Sequence, residues 1–243
     1  MNFDPATAFA VFDRQDSGCI SYGIEWAGRR LFVKTATTSA GYESLGRAIF
    51  LHRSVRHPAI VAPMEVVDTR KERLLVYPWQ DGVVLNHATV DGSDRSGLDR
   101  FRNLPVQHIL AALGTIFEAH VSVAAAGFVS VDIYDGCFLY EFDRHAMHLI
   151  DLDEYRPGPF AVAGARLPGS TRYMAPEEFM QGSVIDERTS IFHMGRAAEQ
   201  LLGEANLTAA QRHVVTTATH VDRAQRFSSL REMVQQWRSA SDD

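Results

Sequence analysis

The hydrophobic pattern of this 243-residue chain changes at Gln80-Asp81-Gly82. Before this point, short runs rich in β-branched and aromatic residues are separated by turn residues, a pattern typical of β-strands. After it, apolar residues recur mainly at the three- and four-residue spacing of amphipathic helices, with one hairpin pattern among them. A strand-rich front followed by a helical rear predicts an α+β protein of two lobes, residues 1–80 and 81–243.

The front part is predicted to form a small sheet with one helix. Two strand-like runs, CISYGIEW and RLFVKTA, are joined by Ala27-Gly28, a dipeptide suited to a hairpin turn. Apolar residues at helical spacing follow over 44–56, and Pro58 disfavours a helical conformation for His57. Two more strand-like runs, PMEVVDT and ERLLVYPW, come just before the change of pattern.

The rear part is predicted to contain four helices, one hairpin and a polar connector over 86–104. The hairpin consists of CFLYEF and MHLID on either side of the turn DRHA. Caps and apolar periodicity predict four helices. The first begins at Pro105 and ends at Gly127, and the second runs from Asp186 to Leu202 and ends before Gly203. The third runs from the cap Thr208 through Thr219, and the fourth begins with the capping box Ser229–Glu232.

Composition excludes several classes of protein. A net charge of −6 argues against general nucleic-acid binding, which requires a basic surface. Cys19 and Cys137 are the only cysteines, so we expect a reducing cytoplasm rather than a disulfide scaffold. The first ten residues lack the pattern of a secretory signal, and apolar stretches such as 121–129 are too short to cross a bilayer. A cytoplasmic protein with no membrane or nucleic-acid partner is expected.

Lysine is rare in this chain. Of the 24 Lys and Arg residues only Lys34 and Lys71 are lysines, and Lys34 lies in the apolar run LFVKTA. A surface lysine whose stem covers apolar neighbours is one interpretation. The other is a compact positive charge that binds an anion such as a phosphate.

The order of motifs resembles the protein kinase superfamily, in the form of a bacterial Ser/Thr protein-kinase-like domain with divergent catalytic motifs. The resemblance covers nearly the whole chain, and YMAPEE is its most specific piece. The matching segments are FVK at 32–34, RHPAIV at 56–61, LLVYPWQDG at 74–82, VSVDIYDGCFLY at 129–140, LIDLD at 149–153, GSTRYMAPEE at 169–178, DERTSIFHMG at 186–195 and RAQRF at 223–227.

The resemblance implies a bilobal fold, with a small β-rich lobe, a mostly helical lobe and ATP bound between them. Asp132 would orient the acceptor hydroxyl and take its proton, while Asp151 and Asp153 would hold Mg²⁺. The implied nucleotide-binding residues are Lys34, Gly18 and Gly23 at the phosphates, the carbonyl of Pro78 and the amide of Gln80 at the adenine, and Tyr77 as gatekeeper.

The resemblance also implies structural roles for three residues. Glu177 would pair with Arg226 and attach the segment that ends in APE to the helical lobe, and removing one partner would leave a buried charge. Thr171 would hydrogen-bond Asp132, as the corresponding Thr does in Ser/Thr kinases.

The chain departs from the family pattern at several catalytic positions. Ser130-Val131 replace the His-Arg before the catalytic Asp, and Tyr134 replaces a Lys. Cys137, a poor Mg²⁺ ligand, stands in place of the second metal-binding Asn, whose role would fall to Asp153 or Asp135. The helix Glu that should pair with Lys34 aligns near Ala48, and Ser190 replaces an anchoring Asp.

The regulatory segment departs as well. Between Asp151 and Gly169 there is no Ser or Thr, so Ser/Thr phosphorylation is not expected to switch this segment.

Two functions remain open on these grounds. The first is an ATP- and Mg²⁺-dependent phosphotransferase acting on a Ser/Thr or other hydroxyl, whether on a protein or on a small molecule. The second is a pseudokinase, a binding module that holds nucleotide without transfer. Retention of Lys34, Asp132 and Asp151 together favours the first, and the changes at Ala48 and Cys137 favour the second.

Overall fold

A computed structural model describes residues 4–13, 18–69, 73–89 and 92–242. The protein is α+β, as the sequence predicts. It forms two compact units: the first comprises 1–54 with 61–81, and the second comprises 55–60 with 82–243. The chain therefore passes from one unit to the other between Asp81 and Gly82, and the short stretch 55–60 after the first helix also belongs to the second unit.

The first unit is a five-stranded antiparallel sheet with one helix. The strands are β1 (Ala10–Phe12), β2 (Cys19–Trp26), β3 (Arg29–Ala36), β4 (Glu65–Asp68) and β5 (Arg73–Pro78), in the order β1-β2-β3-β5-β4, and the helix is α1 (Ser39–Ser54). The predicted hairpin is confirmed: Ala27 and Gly28 join β2 to β3 with φ of 49° and 74°. Both residues adopt the left-handed conformation that suits the twist of a tight hairpin.

Helix α1 begins five residues before its predicted start. The hydroxyl of Thr38 accepts a hydrogen bond from the amide of Gly41 at 3.1 Å and caps the first turn. That turn, Ser39 to Tyr42, carries no periodic apolar residues, so the sequence pattern becomes visible only at Leu45.

The sheet of the first unit is covered on both faces. Alternation along β5 sends Leu75 and Tyr77 to the face covered by α1, where they pack with Leu45, Ala48 and Ile49. The alternate residues of β5, Leu74 and Val76, face the opposite side and form a second apolar cluster with Ile24, Leu31 and Val33 of β2 and β3.

The second unit is mostly helical. Its helices are α2 (Ser96–Arg102), α3 (Val106–Ala125), α4 (Glu187–Leu202), α5 (Ala209–Ala218) and α6 (Leu230–Asp242). Its short strands are β6 (Val83–Val84), β7 (His87–Thr89), β8 (Gly92–Asp94), β9 (Phe128–Val129), β10 (Phe138–Glu141), β11 (Ala146–Leu149), β12 (Arg156–Pro157), β13 (Phe160–Ala161) and β14 (Val184–Ile185). The predicted hairpin corresponds to β10 and β11, and β6 pairs with the free edge of β10.

Residues 86–104 are not the plain connector that the sequence analysis predicts. They contain the β7–β8 hairpin and α2, whose Leu98 and Phe101 are fully buried. Two apolar residues in a seven-residue helix are too few to produce a recognisable period among polar neighbours.

Helix α3 forms the centre of the second unit. It packs against α4 and α6 and buries Ile109, Leu113 and Ile116, among others. Within the described part of the chain, α3 is the one helix whose length and composition would allow it to cross a membrane. It is longer than the apolar stretch 121–129 considered in the sequence. One such helix is weak evidence for a membrane span, because a buried core helix passes the same test of length and composition.

Most predicted helix ends are confirmed. Asp186 caps α4, Gly203 ends it with φ of 80°, and Thr208 forms a reciprocal capping box with Gln211 on α5. The capping box of α6 is different from the predicted one. Ser229 accepts from the amide of Glu232, but the Glu232 carboxylate accepts from the amide and hydroxyl of Ser228 instead of from Ser229.

Candidate functional site

Asp132 and Asp151 have an unusual backbone conformation. Among the described residues, four other than Gly have positive φ, and two of them, Ala27 and His145, lie in tight hairpin turns. The other two are Asp132 and Asp151, with φ of 57° and 58°. Asp tolerates this region better than most residues, yet it still costs free energy, and such residues cluster at functional sites. Both acids are therefore held in place by their surroundings.

Cys137 links the segments that carry these two acids. Its Sγ atom lies 3.5 Å from the main-chain oxygen of Asp132 and 3.9 Å from that of Asp151. The amide of Ile150 also donates to the main-chain oxygen of Cys137 at 2.9 Å. Burial, together with the charges of Asp151 and Asp132, raises the pKa of the Cys137 thiol well above its ordinary value. The buried, protonated thiol therefore serves to hold the two backbone segments together, and it lacks the lowered pKa that is typical of reactive cysteines.

Tyr134 lies beside the same acids. Burial, followed by Cys137, Asp151 and Asp132, raises the pKa of its phenol, which stays protonated at neutral pH. The ring folds over Gly136, where a Cβ atom would lie 2.3 Å from Tyr134 Cε2. Only glycine fits at this position while Tyr134 keeps its place. The position that the family resemblance assigns to a Lys therefore carries a neutral hydrogen-bonding group.

The two predicted metal ligands differ in exposure. Asp151 is exposed, whereas Asp153 is only 4% exposed. Among the described residues there is no group of three or more His, Cys, Asp or Glu side chains arranged to hold a metal ion. Mg²⁺ that arrives with a nucleotide needs only one or two carboxylates, because phosphates and water complete its shell. The exposed carboxylate of Asp151 fits such an ion, and buried Asp153 fits it less well.

Asp135, the alternative second ligand, is engaged elsewhere. Its carboxylate is fully buried and accepts hydrogen bonds from both terminal nitrogens of Arg172, at 2.9 Å and 2.7 Å, and from Asn86 at 3.0 Å. A carboxylate saturated by a bidentate guanidinium has little capacity left for a metal ion. The suggestion that Asp135 binds metal is therefore corrected.

The segment before Asp132 is anchored by a buried polar network that the sequence analysis did not predict. Ser190 Oγ on α4 accepts from the amide of Ser130 at 3.0 Å and bonds the Ser130 hydroxyl at 3.0 Å. His193 Nδ1 lies 2.8 Å from Ser130 Oγ, and its Nε2 lies 2.7 Å from Glu178. All four residues are at most 2% exposed, so the Ser–His–Glu series is closed to substrates. Polar residues at i and i+3 on the apolar face of α4 were the signal that could have revealed this network.

Val131 occupies an apolar environment. It is 1% exposed and packs with Val162, Leu167 and Met174 of the segment that follows Asp151. An apolar contact therefore stands where the family resemblance leads one to expect an Arg.

Glu177 and Arg226 are brought together. Arg226 donates from its two terminal nitrogens to the two carboxylate oxygens at 2.7 Å and 2.9 Å, and Thr189 donates to the same carboxylate at 2.8 Å. Burial alone would raise the pKa of Glu177, but the Arg226 hydrogen bonds outweigh it and the pKa lies below its ordinary value. The pair is buried, with the Arg226 side chain 0% and the Glu177 side chain 7% exposed. It joins the 176–179 turn to the segment before α6.

Thr171 does not have the predicted contact. The residue is exposed, and no hydrogen bond from its hydroxyl to Asp132 occurs among the described residues. The neighbouring Ser170 turns the chain instead, since its main-chain oxygen accepts from the amides of Tyr173 and Met174. This tight turn directs the Thr171 side chain to solvent.

In the first unit, Lys34 lies on β3 opposite Ser21 of β2 and Leu75 of β5, and it is 4% exposed. The interpretation as a surface lysine is therefore wrong. Ala48 is fully buried on α1, while Glu43 is exposed. The buried face of α1 accordingly has no carboxylate at the position where the family resemblance leads one to expect one.

The two predicted loop glycines occupy different environments. Gly18 has φ of 72° beside Thr38, in the connection between β1 and β2. Gly23 lies inside β2, where a Cβ atom would be 2.7 Å from the ring of Phe9 and 2.8 Å from that of Trp79. Close packing of two aromatic rings explains Gly23, and its assignment to a shared glycine loop is corrected.

The predicted adenine-binding residues lie at the end of β5. Tyr77 is 8% exposed and contacts the rings of Phe32 and His52. Pro78 is the last residue of the strand and pairs with Leu31, and Gln80 follows with partial exposure. The amide of Trp79 is used within the unit, because it donates to the main-chain oxygen of Arg30 at 3.3 Å.

Comparison with protein-family models and with curated proteins finds no match to this chain.

Proposed function

We propose that this protein is a phosphotransferase with a bilobal, protein-kinase-like fold, which uses ATP and Mg²⁺ to phosphorylate a Ser/Thr or other hydroxyl group. The observation that carries the proposal is the pair Asp132 and Asp151. Both acids have left-handed backbone, and one buried thiol, that of Cys137, lies near the main-chain oxygens of both. Residues in such conformations cluster at active sites and ligand clamps, and two carboxylates held at one place would supply both a metal ligand and a proton acceptor.

In the proposed reaction, the acceptor oxygen forms a bond to the γ-phosphorus while the bond from that phosphorus to the β,γ-bridging oxygen breaks and ADP leaves. Asp132 accepts the proton of the acceptor hydroxyl. Bound Mg²⁺ would supply charge neutralisation at the phosphates, with Asp151 as its protein ligand and Asp153 in support. Lys34 would provide a fixed positive charge for the phosphates.

The second candidate is a pseudokinase that holds nucleotide without transfer. The observation in its favour is Cys137, whose neutral thiol occupies the position of a metal ligand. The buried Ala48 favours it as well, because it leaves α1 without the expected carboxylate.

The test is phosphate transfer from radiolabelled ATP to a panel of proteins and of small hydroxyl and amino compounds. We expect transfer by the wild type, a loss of about a hundredfold or more in Asp132→Asn and Asp151→Asn, and full activity in the control Asp143→Asn, an exposed acid on the β10–β11 turn. Thermal unfolding with ATP adds a binding measurement, since a ligand of the folded state raises the Tm. Stabilisation by ATP that Mg²⁺ does not increase, with no transfer, would establish the binding module.

A further inference from the structure

The segment 166–179 is attached to the loop that carries Asp132 by an ion pair whose carboxylate is buried. Asp135, three residues after Asp132, is fully buried, and Arg172 of the segment reaches it with two parallel hydrogen bonds of 2.7 Å and 2.9 Å. Arg95 approaches the same carboxylate at 3.7 Å. Planar guanidinium and planar carboxylate match in both position and orientation, so this pair fixes geometry as well as charge.

The main chain at Arg172 is also held. Nε of Arg196 on α4 donates to the main-chain oxygen of Arg172 at 2.7 Å. The hydrogen bond between Asp135 and Arg172 raises the pKa of the guanidinium. Arg172 therefore joins three parts of the second unit: the loop after Asp132, the 166–179 segment and α4.

Within the segment, further contacts converge on the same arrangement. The amide of Leu167 donates to the main-chain oxygen of Glu178 at 2.9 Å, and Arg166 donates to the main-chain oxygen of Gly169 at 2.8 Å. On the other side of the loop, Val131 packs against Leu167 and Met174. These contacts are apolar contacts and hydrogen bonds between residues of the second unit itself.

We propose that Arg172 is a positioning residue for phosphate transfer: by pairing with Asp135 it holds the 166–179 segment against the Asp132 loop and makes the unphosphorylated protein competent. The inference rests on the proposed function as far as the reaction is concerned. The ordering of the 166–179 segment does not depend on whether the protein transfers phosphate. Residues 152–168, which lead into the segment, contain no Ser or Thr, whereas Ser170 and the exposed Thr171 lie within it.

The experiment uses the full chain, free of phosphate by intact mass. Amide hydrogen exchange is measured for Arg172→Gln, Arg172→Lys and the double variant Asp135→Asn/Arg172→Gln. The control is Arg238→Gln, which removes an exposed ion pair with Glu118 in the same unit. In Arg172→Gln we expect exchange of the 167–174 amides to rise about tenfold or more, while the amides of α4 and α6 stay within about twofold.

The same variants are assayed for transfer. We expect the kcat of Arg172→Gln to fall about a hundredfold, because misplacement of a catalytic loop by an ångström has an effect of that size, while the KM for ATP stays within about threefold. Arg172→Lys keeps the charge without the bidentate geometry, and we expect it to recover part of the lost kcat. Arg238→Gln should match the wild type in both measurements.

Unchanged exchange at 167–174 in Arg172→Gln would overturn the proposal, as would an equal rise throughout α4 and α6, which would mean general destabilisation. If Arg172→Gln does not fold, the double variant Asp135→Asn/Arg172→Gln tests the proposal instead, because it leaves no unpaired buried carboxylate. Its 167–174 amides should still lose protection from hydrogen exchange. A wild-type protein that transfers no phosphate but shows the local exchange effect would reject the proposed reaction and retain the ordering role. An active protein whose kcat is indifferent to Arg172 would reject positioning.

Discussion

The hydroxyl of Tyr155 donates a hydrogen bond to Nε2 of His120, 2.7 Å away, in the interior of the second unit. Nδ1 of the same ring lies 2.7 Å from the main-chain oxygen of Ile116. A carbonyl oxygen can only accept, so Nδ1 carries the proton and Nε2 accepts from Tyr155. The neutral imidazole therefore has both of its hydrogen bonds satisfied, and an added proton on Nε2 would break one of them.

This arrangement predicts how stability depends on pH. Burial lowers the pKa of His120 from its ordinary value of 6.5 to about 4. Below pH 6.5 the unfolded chain binds a proton that the folded chain does not, so stability falls as the pH is lowered from about 6.5 to about 4, by roughly 3 kcal/mol in total. In His120→Gln, which can keep neutral hydrogen bonds, urea unfolding across this range should show a smaller slope. The exposed His213→Gln is the control, and an equal slope in His120→Gln would reject the assignment.

The pair formed by Glu177 and Arg226 predicts an asymmetric mutational effect. Arg226→Met leaves a buried carboxylate without its partner, and we expect a loss of about 3–5 kcal/mol in the free energy of unfolding. The double variant Glu177→Gln/Arg226→Met removes both charges and should recover part of that loss. Arg238→Met, which breaks an exposed pair, should cost less than about 1 kcal/mol. Urea unfolding followed by circular dichroism measures all three; similar losses in the two single Arg variants would contradict the prediction.

The network around Ser130 predicts a specific role for Ser190. Ser190→Ala removes the acceptor of the buried Ser130 amide, and leaving that donor unpaired should cost about 1–3 kcal/mol. Ser122→Ala is a matched control, because its hydroxyl donates within α3 at a half-buried position. It should change stability by less than about 0.5 kcal/mol. Equal effects of the two substitutions would show that Ser190 is not an anchor.

The two cysteines predict low thiol reactivity. Cys19 is 2% exposed and Cys137 is fully buried, and burial also keeps the Cys137 thiol protonated. We expect the native protein to react with an aromatic disulfide reagent at least about a hundredfold more slowly than the unfolded chain, in which both thiols are accessible. Rapid native reaction of Cys137, read by peptide mass, would contradict the buried position. Addition of Mg²⁺ should leave the rate unchanged, since a thiol is a poor ligand for this ion.

Local patterns predicted much of the secondary structure. Thr208 with Gln211 and Asp186 at the start of α4 are caps whose hydrogen bonds close within three residues, so their sequence signal is direct. The turn at Ala27-Gly28 is equally local. Helix α2 was not predicted, because the burial of Leu98 and Phe101 depends on contacts with residues distant in the chain and leaves no periodic pattern in the sequence.

The candidate site was predictable in part. The sequence analysis singled out Asp132 and Asp151, and the structure shows left-handed backbone at both and Cys137 as the link between their segments. Thr171 was assigned a hydrogen bond that it does not make, because the direction of a side chain in a tight turn depends on the turn and not on the motif. Gly23 was assigned to a phosphate loop because its spacing matched, although two aromatic rings account for it.

The sequence by itself determined the α+β class, the element boundaries that depend on caps and turns, and the positions of the acids, since these follow from interactions between residues close together in the chain. Only the tertiary structure decided which polar groups are paired. Arg172 binds Asp135, and Ser190 and His193 of α4 bind Ser130; the partners lie 37 to 63 residues apart in the sequence. A buried polar group must find a partner wherever the fold places one, and that choice depends on which segments pack together rather than on spacing.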